Sequence, residues 1–281
     1  MNEQRPTKPR SFYSARPSRR DVLRGISMAT LVSPIFGCGG EGDGAADGAT
    51  GELEEPLSCV LYPEATEGPF YVEAPELNRG DLVQGETIPQ IVSAVPLSLV
   101  MKFNAVNGSQ CAPLAGARVA VWQCDAVGVY SGLESNFIQM LDTSDSKYLR
   151  GYQDTDASGT VRFRTIYPGW YGSRTIHIHF KVRVPSAQGG MIYEFNSQMY
   201  FDDETSDEVL ASAPYLPGRV VRNSNDQVFL GTGPGAAADP APPPVGTPAP
   251  GDGALLTLVR TATGYTGSVN VGLNLAPATP A

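Results

Sequence analysis

The chain has 281 residues, 41% of them hydrophobic and only 17% charged, with 31 Gly and 24 Pro. That is enough chain for one sizeable core, in proportions that favour a loop-rich β protein over a helix bundle. The formal net charge is -9; residues 1–38 carry 7 of the 20 basic and 2 of the 29 acidic residues, so the remainder holds 13 against 27, a net of -14. Such acidity argues against nucleic acid or an anionic lipid surface as a partner.

The N-terminus reads as an address. Ser18-Arg19-Arg20-Asp21-Val22-Leu23-Arg24 resembles the twin-arginine export motif, and the weakly apolar stretch that follows, Gly25 to Gly37, is too short to span a bilayer. The expectation is a signal peptide over 1–38 and a periplasmic or extracellular protein. Cys38 matches a lipoprotein processing site, which would supply a lipid anchor; plain cleavage nearby is the alternative. The Gly-, Ala- and Glu-rich stretch 39–57 reads as a flexible tether. Cys59, Cys111 and Cys124 remain. Export permits a disulfide among them, three pairs are open, and Cys124 at the end of an apolar strand also fits a buried thiol.

From residue 58 to 281 the pattern is of short alternating strands between turn residues. Strands are expected over 95–106, 118–124, 148–153, 160–166, 175–184 and 197–201. In Arg118–Cys124, Val119, Val121 and Gln123 share one face, with Ala120 and Trp122 on the other. Asp202–Ala211 is the best helix, opened by acidic residues. Gly231–Gly253 is a Pro-, Ala- and Gly-rich insert without capacity to bury a core, after which 254–273 resumes as a final hairpin. These elements predict a mainly β fold, an antiparallel two-sheet β-sandwich with a few short helices and long loops.

The sequence holds two histidines, His177 and His179. Two apart on a strand, they project to one side, as a metal site requires. No third histidine exists, and no acid follows either one at the His-x-Asp or His-x-Glu spacing of the two-histidine, one-carboxylate iron site. Three other readings stay open on residues alone: a zinc or copper site completed by Cys124 or an acid, tyrosinate ligands, or a non-catalytic Ig-like or transthyretin-like binding module. Tyr130 lies just past the strand ending at Cys124, and Tyr167 lies in the turn feeding the histidine strand.

Five segments together resemble the intradiol ring-cleavage dioxygenases: 59–71 (CVLYPEATEGPFY), 121–132 (VWQCDAVGVYSG), 149–156 (LRGYQDTD), 165–180 (TIYPGWYGSRTIHIHF) and 196–203 (NSQMYFDD). The resemblance implies one non-haem Fe(III) per chain, with Tyr130, Tyr167, His177 and His179 as its protein ligands. Tyr167, rather than nearby Tyr171, takes the place of the axial tyrosinate that leaves when substrate binds. Arg174 corresponds to the arginine that stabilises the activated substrate, and Gln198 to the glutamine lining the pocket, with 67–69 as a further pocket wall. A catechol-type substrate and O2 are the implied reactants, and a muconate-type diacid the product. A homo-oligomer is among the expected partners; no basic residue maps to a position that would pair with a substrate carboxylate.

Overall fold

The computed structural model describes residues 60–185, 191–233 and 248–275. The expected signal peptide with Cys38, the expected tether and the centre of the 231–253 insert lie outside the described residues.

Two sheets face each other. In the first, β1 (Pro96–Asn107) pairs with β2 (Gln110–Pro113), and β3 (Arg118–Trp122) opens the second. β4 (Arg150–Asp154) pairs with β3, whereas β5 (Thr160–Ile166) returns to β1. β6 (His177–Pro185) and β7 (Met191–Tyr200) complete a four-stranded sheet of order β4-β3-β6-β7. After helix α1 (Pro89–Val92), which precedes β1, the only other α-helix among the described residues is α2 (Asp203–Leu210); β8 (Thr257–Arg260) and β9 (Tyr265–Leu273) then close the first sheet as a hairpin. Asp202 caps α2, its side chain accepting the Thr205 amide at 2.7 Å, and Asp203 and Glu204 complement the dipole in the first turn.

Among the described residues the named strands pair antiparallel with one exception: β9 runs parallel to β1. The two strands stand at opposite ends of the domain's sequence, so no tight turn dictates their relative direction. Alternation fills the space between the sheets with Leu97, Leu99, Met101 and Phe103 of β1, Val119 and Val121 of β3, Val161 and Phe163 of β5, and Ile178, Phe180 and Val182 of β6. Each such burial contributes roughly 1.5–3 kcal/mol. The same parity sends His177, His179 and Lys181 to the outer face.

The outer face of the four-stranded sheet is also covered. Residues 66–73 cross it: Glu67 pairs with Lys181, Gly68 sits on the His179 ring, Tyr71 packs edge-on to Trp122, and Glu73 pairs with Arg183 at 2.7 Å. Both histidines are therefore buried although neither points into the sandwich. The ends of the insert meet, the Gly251 amide donating to the Phe229 carbonyl at 2.9 Å. Cys111 is disulfide-bonded to a partner outside the described residues, while Cys124 is a free, buried thiol, so neither pair through Cys124 forms.

Candidate metal centre

Register builds the site. Trp122 of β3 stands opposite Arg150 of β4 and opposite His179 of β6, and His179 stands opposite Gln198 of β7, giving one row of side chains across four strands. His177 pairs with Tyr200 in the next row. Trp122 stacks flat on His179, ring centroids 5.0 Å apart and planes 7° from parallel, which holds that imidazole upright. Gly68 adopts φ +75°, and a Cβ there would come within 3.0 Å of the His179 ring, so only glycine lets the covering segment lie this close.

The two imidazoles turn their Nε2 atoms together, 3.0 Å apart. His177 Nδ1 lies 2.7 Å from the Thr175 carbonyl and must donate to it, which leaves the Nε2 lone pair free to bind. Three groups approach that lone pair: His179 Nε2, the Tyr171 hydroxyl at 3.1 Å, and Arg174 Nη1 at 3.5 Å. Tyr130 stacks on Phe70 at 4.4 Å and meets Tyr171 edge-on at 5.3 Å and His179 at 6.2 Å. Its buried hydroxyl has no hydrogen-bond partner. The backbone of Tyr130 is held by Gln139, which accepts the Tyr130 amide at 2.7 Å and donates to its carbonyl at 2.9 Å, and by Thr143.

Tyr167 is not in this group. It continues the parity of Val161 and Phe163 past the end of β5 and so points into the sandwich. There its ring packs on Phe201 at 4.4 Å, and its hydroxyl bonds Ser206 of α2 at 2.8 Å. Pro168-Gly169 then carries the chain over: a Cβ at Gly169 would fall 2.4 Å from the Ala126 carbonyl oxygen, so this glycine permits the crossing that delivers Tyr171 to the imidazoles. Tyr167, expected beside the imidazoles, thus lies in the core, and Tyr171 is the phenol that stands there instead. The signal was in the alternation of β5, which assigns residue 167 to the core. Phe70, Trp122, Tyr200 and Asp226 were also not anticipated.

Arg174 and Gln198 do lie at the imidazoles. Arg174 Nη2 donates to Gln198 Oε1 at 2.5 Å, and Gln198 Nε2 donates to the Thr66 carbonyl at 2.9 Å. Burial, then the nearby Arg174 charge, holds His177 well below the ordinary imidazole value; burial, His177 and Arg174 do the same to His179. Burial and the adjoining Tyr171 phenol push Tyr130 well up, and burial pushes Tyr171 to about 12 despite Arg174. Burial works against the Arg174 charge, but the Tyr171 phenol and the Asp226 carboxylate hold its pKa above the ordinary value.

This donor set fits a hard trivalent cation. Two neutral imidazoles cost nothing to deprotonate, and a cation would satisfy the orphaned Tyr130 hydroxyl and the crowded Nε2 pair at once. Among the described residues no three His, Cys, Asp or Glu side chains gather as a metal site, and Cys124 Sγ instead faces the Gly169 carbonyl at 3.5 Å. The zinc or copper set with Cys124 therefore does not assemble.

Residues 66–225, more than half of the chain, match the family described as Dioxygenase. The chain is 31% identical over 144 residues to catechol 1,2-dioxygenase 1 of Acinetobacter lwoffii, covering 45% of this chain and 43% of that one. It is 30% identical over 137 residues to chlorocatechol 1,2-dioxygenase of Pseudomonas putida, covering 42% and 47% respectively. The match thus spans about half the length of these curated relatives. Among solved structures, an intradiol ring-cleavage dioxygenase from Tetranychus urticae superposes with a TM-score of 0.59 at 27% identity, over 79% of this chain and 98% of that one. With its two-sheet core, its paired imidazoles on β6 and these relatives, the chain belongs to the intradiol ring-cleavage dioxygenase family.

Proposed function

We propose that the protein binds one Fe(III) through Tyr130, Tyr171, His177 and His179 and uses O2 to cleave a catechol between its two hydroxyls, yielding a muconate-type diacid. The observation that carries this reading is the meeting of two phenols and two imidazoles at one buried point, with a guanidinium at its edge. Bound there, ferric iron would supply a Lewis acid that draws electron density from the catechol.

The chain's own groups then divide the work. Tyr130 is pinned through its backbone by Gln139 and Thr143, which leaves Tyr171, beside His177 and Arg174, as the phenol assigned to proton transfer. Burial pushes the Tyr171 pKa to about 12, so its deprotonated oxygen would be a base strong enough to take a catechol proton. Arg174 Nη1 faces the same point and places fixed positive charge where the ring accumulates negative charge. Trp122, Phe70 and residues 66–69 keep the histidines dry.

The test is iron content and visible absorption of the purified protein, followed by O2 uptake against catechol, protocatechuate, hydroxyquinol and substituted catechols. A tyrosinate-to-iron charge-transfer colour with uptake on at least one catechol supports the reading; a colourless protein after ferric loading refutes it. We further propose export through the 1–38 segment. Mass spectrometry of the mature N-terminus separates lipidation at Cys38 from plain cleavage.

A further inference from the structure

Asp226 lies one residue beyond the family match at 66–225 and is fully buried. Both its carboxylate oxygens are in use. Oδ1 accepts the amides of Val228 at 2.8 Å and Phe229 at 3.0 Å; Oδ2 accepts the Thr175 amide at 2.6 Å and Arg174 Nε at 2.9 Å. Three of these four bonds come from backbone, so the carboxylate is fixed whether or not the arginine is present.

The guanidinium is held on two sides in consequence. Nε is taken by Asp226 and Nη2 by Gln198, whose Oε1 also accepts from the Tyr200 hydroxyl at 3.1 Å. Nη1 is left over, 3.5 Å from His177 Nε2, a distance too long for a firm hydrogen bond.

We propose that Asp226 is a positioning residue: it fixes the rotation of Arg174 so that the Nη1 edge, and no other, faces the reacting carbon of the catechol. This rests on the catechol-cleavage reading of the site. Charge alone would argue for leaving Asp226 out, because a carboxylate 2.9 Å from the guanidinium offsets the positive potential that developing negative charge requires. A planar group with five donors is useful only when the correct edge is presented, and a small misplacement is costly in rate. The same carboxylate anchors the Thr175 amide, two residues before His177, so guanidinium and imidazole share one reference point.

The test is Asp226→Asn in the iron-loaded protein, alone and combined with Arg174→Lys. The amide oxygen can still serve Val228 and Phe229, but its NH2 then faces both Arg174 Nε and the Thr175 amide, donor against donor. Expected are a fall in kcat of about 10–100-fold with KM changed less than about threefold, and a visible band that persists, since all four proposed ligand side chains are retained. In the Arg174→Lys background the same substitution is expected to cost markedly less, the remainder being the lost Thr175 contact, which both backgrounds share. Equal losses in both backgrounds would show a merely structural role, and a kcat that is unchanged or raised in Asp226→Asn would show that orientation is not what the carboxylate supplies; either overturns the proposal. A second measurement needs neither iron nor the variant: the Nε–H of Arg174 in the metal-free protein, assigned by its disappearance in Arg174→Lys, should exchange slowly with solvent. Rapid exchange in the unsubstituted protein overturns the proposal as well. An iron-loaded protein that consumes no O2 with any catechol defeats the functional reading instead, and the exchange measurement still decides whether Asp226 holds Arg174.

Discussion

Replacing Tyr130 by Phe separates the cost of the site in the metal-free protein from its use in the metal-bound one. A buried hydroxyl without a partner costs about 1–3 kcal/mol, because its hydration is lost and nothing replaces it. The Tyr130 hydroxyl is in that position, with the Tyr171 phenol close enough to raise its pKa. The ring itself is well packed between Phe70, Tyr171 and His179, and phenylalanine keeps every one of those contacts. Tyr130→Phe should therefore stabilise the metal-free protein, by about 1 kcal/mol at the lower end of that range. For a domain of this size the gain corresponds to about 2–4 °C in Tm. Ferric loading should have the opposite outcome: one of two anionic oxygens is gone, so the visible band weakens and shifts and O2 uptake disappears. The assay is calorimetry of chelator-treated protein beside absorption of the iron-loaded form. A metal-free variant that melts lower than the parent would show that the hydroxyl has a partner in the resting site, and the donor-set argument would fail with it.

Paired phenylalanine substitutions test the reassignment of the second tyrosine. Tyr167→Phe loses the bond to Ser206 and should lower stability by about 1 kcal/mol while leaving colour and activity in place; Tyr171→Phe should abolish activity and alter the charge-transfer band. Gly68→Ala puts a methyl group 3.0 Å from the His179 ring on a backbone at φ +75°, at a cost of about 1–2 kcal/mol for the left-handed backbone alone, and should reduce iron bound per chain in a metal assay. Acid stability of the metal-free protein follows from the two imidazoles, whose folded pKa values lie below the ordinary 6.5. Their contribution is complete above pH 6.5. Below it the unfolded chain binds protons that the folded one refuses, so stability falls with pH at up to about 1.4 kcal/mol per unit for each histidine. Urea titrations between pH 7.5 and 5 should show that slope, and His179→Gln should roughly halve it.

Much of this molecule was legible from local pattern. Alternation in 118–124 and 175–184 located the strands and divided their residues between two faces, since side chains reverse face at every residue irrespective of tertiary context. Helix α2 was legible from Asp202 and the acids behind it, because capping is a local interaction. The His-x-His spacing put two imidazoles on one side of β6 by the same rule. Less visible was the parallel pairing of β1 with β9, a contact between the two ends of the domain that no short-range signal encodes.

The tyrosines draw the boundary most sharply. Residue types and strand parity by themselves determined that two imidazoles share a volume, leaving Cys124, an acid or a tyrosine open as the anionic partner. Which phenol reaches the imidazoles depended on a Pro-Gly crossing packed against the Ala126 carbonyl, and the partner of Arg174 depended on a loop some fifty residues further along the chain. Parity propagates along a strand without reference to anything else. The destination of a chain after a turn is set by what it must pack against, and only the assembled sheets decide that.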